Sequence, residues 1–275
     1  MSEPWVLDCD TTIKPRYGHQ EGAVVSYNPK KPGRPSHAWH AFLMAGTRLV
    51  LDVEVAPGNR HRSNRAAPSL WALLERLGRD RWPRLVRGDK DWGSEGNMAS
   101  CEAAGLAYLF KLRLTRGARR PAERQMARDE WEDAGQGWQG IGAELRLHGW
   151  SRSRRVVVLR RRLRGTLALT RHDDGQGDLF WAEPGPGSGV WEFAVLATSV
   201  DLEVRSVAQL YRDRAAAENG FDELKNQWSW GGFTTRDLTR CRHMARLMLF
   251  ELSFTFPCPT FRRRLFCDER HQHSS

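Results

Sequence analysis

Cysteine is scarce in this chain. The five that occur among 275 residues, Cys9, Cys101, Cys241, Cys258 and Cys267, are scattered, odd in number and never spaced Cys-x-x-Cys. That pattern argues against a disulfide framework and against a structural zinc site, and it leaves Cys9 and Cys101 as small buried hydrophobes. Also missing are an 18-residue apolar run, a signal peptide, a lipidation motif and any internal repeat. These absences read as a soluble, cytoplasmic chain with no membrane partner. The length suits one large domain, or a core plus an insertion, able to bury most of its apolar surface.

Acidic residues are in deficit. The chain carries 43 Lys and Arg against 33 Asp and Glu, a formal charge of +10. Residues 111–164 hold 15 basic and 6 acidic side chains, a net +9 that accounts for nearly the whole excess. A cluster of guanidinium groups of this kind, including Arg152, Arg154, Arg155, Arg160, Arg161 and Arg162, suits a polyanion: it pairs bidentately with phosphate and releases many counterions. A solvated basic face is the alternative.

The order of elements predicts an α/β fold. Trp5 to Thr11 is a short strand with Asp8 and Asp10 on one face and Leu7 and Cys9 on the other. Segments 40–45 and 48–55 form a hairpin, 69–77 is an amphipathic helix, 97–104 is a helix, and 84–87 and 107–112 are strands, with the former running into Asp89. Residues 143–150, 154–163, 166–171, 179–183 and 190–200 alternate with Gly, Asp and Pro, the mark of antiparallel strands. A long helix is predicted from Ser206, capped by Gln209, to Trp228, and a second from Asp237 to Phe256. The resulting division is a core over 1–112, a β-rich basic insertion over 113–200, a helical return to the core over 201–256, and an irregular tail over 257–275.

In the long helix, Tyr211, Arg214, Glu218 and Lys225 are offset by 3, 7 and 14 residues and share one polar stripe. On its own this is also what an ordinary Arg214–Glu218 ion pair looks like. The spacing resembles the Tyr-Arg-Glu-Lys signature of DDE transposases from bacterial insertion sequences. The start, Leu7-Asp8-Cys9-Asp10-Thr11-Thr12, followed by Tyr17-Gly18-His19-Gln20-Glu21-Gly22 and Tyr27-Asn28-Pro29-Lys30-Lys31, is similar to the first-aspartate region of one branch of that family. The second aspartate of the family comes after an Arg at a strand end, as in Arg87-Gly88-Asp89.

The resemblance implies a ribonuclease H-like mixed sheet flanked by helices and interrupted by the β-rich insertion before the last catalytic helix. It implies that Asp10, Asp89 and Glu218 hold two Mg²⁺ or Mn²⁺ ions, one activating water or a 3′-hydroxyl and the other stabilising the leaving oxygen. Tyr211, Arg214 and Lys225 are then DNA contacts, and the partners are double-stranded transposon ends and target DNA, handled by a homodimer in a synaptic complex at the nucleoid. Asp8, on the same strand face, stays open as an alternative ligand. Asp91, Asp52 and Glu54 read as surface residues. Lys30, Lys31 and Arg34 either grip a DNA backbone or form a solvated loop.

Relatives of this kind carry an N-terminal DNA-binding region before the first aspartate strand, whereas this chain begins almost on that strand. After Phe254 the helical pattern gives way to Pro-Cys-Pro, a basic run and a His-rich tail, as a displaced reading frame would produce. The expectation is a truncated transposase core. Its alternatives are an inactive remnant that only binds DNA and a ribonuclease H-like nuclease without strand transfer.

Overall fold

The computed structural model describes residues 4–26, 31–47, 49–60, 63–115, 123–125, 128–163, 179–182, 190–215 and 235–255. Their strands form one mixed sheet. Strand β1 (Val6–Pro15) lies antiparallel to β3 (Pro35–Met44), which also pairs with β2 (Val24–Val25) and β4 (Leu49–Pro57). On its other edge β1 runs parallel to β5 (Leu85–Gly88), and β5 parallel to β6 (Ala107–Lys111). Helix α1 (Ser63–Leu77) precedes β5, and α2 (Glu95–Ala103) bridges β5 and β6, since parallel neighbours need such crossovers.

The strands of residues 132–198 extend this sheet. Strand β11 (Val190–Thr198) is antiparallel to β6 and to β9 (Arg154–Leu163), and β8 (Trp138–Leu145) and β7 (Glu132–Gly135) continue outward. Strand β10 (Leu179–Ala182) pairs with β11. The predicted strand over 166–171 lies outside the described residues. The mixed sheet flanked by helices expected from the sequence is thus present.

Side-chain alternation assigns the two faces. Leu7, Cys9, Val86, Tyr108 and Phe110 point to the face covered by α1 and α2, where Leu70, Leu74, Met98 and Cys101 close the largest core. Leu85, Leu109, Val157, Leu159 and Leu196 point the other way, under Val207 and Ala208 of helix α3 (Val204–Arg212). On that same second face, Trp39, Ala41, Leu43 and Val53 meet Cys241 and Ala245 of helix α4 (Leu238–Thr255). Asp8 and Asp10, cross-strand from Leu43 and Ala41, therefore lie on the face that carries α3 and α4.

Three expectations need correction. The capping box at Ser206 and Gln209 is not formed: α3 starts at Val204, and Gln209 Nε2 instead donates to Asp213 at 2.6 Å. The helix does not run unbroken either, because residues 213–214 form a turn; residues 216–234 lie outside the described residues. Asp52 and Glu54 are not free surface groups. Asp52 is buried and binds Arg76 and Arg246, and Glu54 binds Arg242 at 3.2 Å, so both dock helices onto β4.

Near the outer end of β1, His37 is buried with both ring nitrogens engaged. Nδ1 accepts from Arg16 Nε at 3.0 Å and Nε2 donates to the Glu21 carbonyl at 2.8 Å. Burial, with a contribution from the Arg16 charge, holds its pKa below the ordinary 6.5. A depressed pKa means that stability is full above the unfolded value and is lost as pH falls through the folded one. Denaturant titrations are expected to show stability declining below pH 6.5, and His37→Gln is expected to flatten that part of the profile.

Candidate active site

The parallel register of β1 and β5 sets Asp8 opposite Arg87 and Cys9 opposite Gly88. One residue further, at the carboxyl ends of the paired segments, come Asp10 and Asp89. Asp10 falls on the α3 face by strand alternation, and Asp89 opens the turn that follows β5. Asp10 is bound by Arg214 from the turn after α3, with Nη2 to Oδ1 at 2.6 Å. The Arg214 charge also acts on Asp89, partly offsetting the desolvation that raises the Asp89 pKa. Two strands and one helix end thus bring Asp10, Asp89 and Arg214 together.

Asp89 is fixed by its own turn. Its Oδ1 accepts the Asp91 amide at 3.0 Å and its carbonyl accepts the Trp92 amide at 3.0 Å. Trp92 then drops into the core beneath Gly88, where a Cβ would meet the indole at 2.6 Å. Glycine is required there by the close approach. Asp91 is not a free surface aspartate as expected; it is partly buried and paired with Arg113. Ser94 comes next and caps α2 through Asn97.

Asp8 is excluded as a free ligand by its partner. Its two oxygens take Arg87 Nε at 2.6 Å and Nη2 at 2.7 Å, with both side chains almost wholly buried. Even so, desolvation outweighs Arg87 and the pKa of Asp8 is raised, as for ion pairs taken out of water. Tyr211, expected beside Arg214, is partly buried and packs against the apolar cluster under α3. Glu218, Lys225 and Lys30 lie outside the described residues.

Lys31 and Arg34 lie elsewhere, past the far end of β1. They surround Tyr17, which is 58% exposed: Lys31 donates to its hydroxyl at 2.6 Å, and Arg34 stacks 4.9 Å from the ring centre. Seven residues separate Tyr17 from Asp10, roughly 20 Å along an extended strand. Composition gives no hint of Tyr17, which enters the sequence reading only as the first residue of the Tyr17–Gly22 motif.

The basic segment is used differently from the expected phosphate-binding stripe. Arg154 is buried and binds Glu95 and Glu102; Arg155 donates to the carbonyls of Val200 and Leu202. Arg160 stacks on Trp131 at 3.9 Å and Trp191 at 4.7 Å, and Arg161 pairs with Glu192 at 2.5 Å. These four arginines hold the sheet together, with their guanidinium groups engaged by other parts of the protein. Sequence counting cannot tell such internal charge from a free basic face.

The donor set suits a hard cation. Two carboxylates supply oxygen only, the ligand type of Mg²⁺ and Mn²⁺, and Asp10 already attracts a cationic group in Arg214. Among the described residues no group of three or more His, Cys, Asp or Glu side chains is gathered for a metal. Glu218, the third carboxylate that the resemblance implies, comes four residues after Arg214 in the sequence, outside the described residues.

The family model of the transposase DDE domain matches residues 1–250. The chain belongs to the DDE transposases. Enzymes of this family are polynucleotidyl transferases and endonucleases that use divalent metals. Among solved structures, the chain is similar to a piggyBac transposase in a synaptic complex with hairpin DNA, at 14% identity and a TM-score of 0.44. The likeness covers 89% of this chain and 44% of that one, so the chain spans less than half the length of that transposase. No curated protein matches it. Among the described residues, no helix of this DDE transposase is long and apolar enough to cross a membrane.

Proposed function

We propose that this chain is the catalytic core of a cut-and-paste transposase of the bacterial insertion-sequence branch, with a ribonuclease H-like core split by the 113–200 insertion. In this reading Asp10, Asp89 and Glu218 hold two Mg²⁺ or Mn²⁺ ions. The observation that carries it is the pairing of β1 with β5 up to the residues just before Asp10 and Asp89, with Arg214 bonded to Asp10 and its charge acting on Asp89. Bound there, the ions supply Lewis acidity at the scissile phosphate and lower the pKa of the attacking water or 3′-hydroxyl.

The chain's own residues do the rest. The Trp92-anchored turn holds Asp89 in place. Arg214, buried against Asp10, supplies a guanidinium beside the carboxylates that a phosphate oxygen reaching the site would pair with, and Lys225 is the second cation the signature assigns to DNA. Lys31 and Arg34, with Lys30, grip the backbone about two-thirds of a helical turn of DNA from the cut. Transposon ends and target are the partners, in a synaptic homodimer at the nucleoid.

Two measurements test this reading. Joining of a labelled 3′-hydroxyl end to plasmid DNA is expected with Mg²⁺; cutting without joining would reduce the chain to a nuclease. Replacing Lys31 and Arg34 together by Ala is expected to weaken DNA binding equally for all sequences. The log–log dependence of binding on salt should become shallower by about 2. An unchanged slope would remove both residues from the interface.

A further inference from the structure

The geometry points to the Asp8–Arg87 pair as a positioning device that breaks the helix after α3 and turns Arg214 onto Asp10. It deepens the reading above, since it concerns how that site is assembled. The pair lies two residues before Asp10 on β1 and two before Asp89 on β5, on the same face, so it forms the floor about 7 Å beneath the two carboxylates. Its two parallel bonds, at 2.6 and 2.7 Å, lock the strands to each other at that level.

Arg87 has one more nitrogen, and that nitrogen reaches the helix. Nη1 donates to the carbonyl of Leu210, in the last turn of α3. In an uninterrupted α-helix, the Leu210 carbonyl would take the amide of Arg214, four residues on. Here the Asp213 amide still bonds Gln209 at 2.9 Å in helical fashion, but the Arg214 amide turns to Tyr211 at 3.2 Å, a three-residue step. The ladder therefore changes at the residue whose expected acceptor faces Arg87. The tightened turn rotates Arg214 out of the helix line and into its bond with Asp10.

The choice of a charged pair comes from this task. An apolar pair would fill the space at lower desolvation cost, but it has no donor for a helix-end carbonyl. Asp8 holds the guanidinium flat, and the third donor sets the height of α3 above the sheet. The positioning residues are then Asp8 and Arg87; Arg214 acts at the site.

The test compares the wild-type chain with Asp8→Leu/Arg87→Met, which removes both charges together, and with Arg87→Lys, which keeps the charge but lacks the fork. In stably folded variants, amide exchange at residues 213–215 is expected to shift at least tenfold while β1 and β5 stay unchanged. The midpoint of Mn²⁺ binding, tracked by its paramagnetic resonance signal, is expected to shift at least tenfold. Unaltered exchange at 213–215 in a folded variant would overturn the inference. So would failure of both variants to fold, which would make the pair a folding requirement only. A wild-type chain that binds no Mn²⁺ would count against the proposed function instead, and the exchange measurement would still decide the role of the pair.

Discussion

Asp89→Asn is expected to abolish metal-dependent cutting, by about 10³-fold or more, the scale of loss when one member of a catalytic set is removed. The same substitution is expected to leave the metal-free protein as stable as before or more so. Burial raises the pKa of Asp89 above the ordinary 3.8, and the nearby Arg214 only partly offsets it. A carboxyl raised in the folded state contributes stability that is full below its unfolded value and lost as pH rises through the folded one. At neutral pH the folded chain therefore bears the cost of burying this carboxyl, whether as desolvated charge or as a proton held above its ordinary pKa, and the amide relieves it. Denaturation midpoints of the variant should exceed the wild type at pH 7 and converge with it below pH 3.8. A large loss of stability at pH 7 would mean that Asp89 is a structural ion-pair partner.

Trp92→Ala is expected to cost about 3–5 kcal/mol, as for other large aromatic residues truncated in a core. Trp92 is 1% exposed and lies between Phe42 and Phe110, with both ring centres at 6.3 Å. Its backbone amide closes the turn on Asp89 and its carbonyl takes Asn97 Nδ2 at 3.1 Å, so the loss also loosens the turn that holds the carboxylate. Leu70→Ala on α1 serves as the control. It empties the same core at about 2–5 kcal/mol without touching that turn. At a temperature where both variants are folded, cutting should fall with Trp92→Ala and persist with Leu70→Ala. The indole Nε1 is buried with no acceptor among the described residues, so Trp92→Phe should cost much less than Trp92→Ala.

The sequence is most informative where one rule acts alone. The β-branched run of β9, free of Gly and Pro, predicts the bounds that the strand has, Arg154–Leu163. For β8 the pattern points to 143–150 rather than Trp138–Leu145, because Gly140 and Gly142 read as loop. Gly140 lies in the strand because α3 passes close above it; a Cβ there would meet Val204 at 2.4 Å. Helix α1 is expected from Ser69, after Pro68, yet it starts at Ser63 and carries the proline inside. In both cases tertiary contact overrides a local stop signal.

For the site, Asp10 and Asp89 are legible as motif positions, but their adjacency depends on a strand pairing that no local pattern specifies. Asp8 is ambiguous in the sequence because its partner is 79 residues away. The break at residues 213–214 is hidden for the same reason. Helical spacing through Tyr211, Arg214 and Glu218 is regular, and the contact of Arg87 with the Leu210 carbonyl comes from a strand far along the chain. The arginines of β9 read as a free basic face because their partners, Glu95, Glu102, Trp131 and Trp191, come from segments far along the chain.

The most direct test of the central claim is cutting of labelled DNA carrying the terminal repeats of the neighbouring element, with Mg²⁺ or Mn²⁺, by the wild-type chain and by Glu218→Gln. Metal-dependent nicking by the wild type that disappears in the variant is the expected result. DNA binding without nicking in both, or nicking that survives the substitution, would contradict the assignment of the carboxylates.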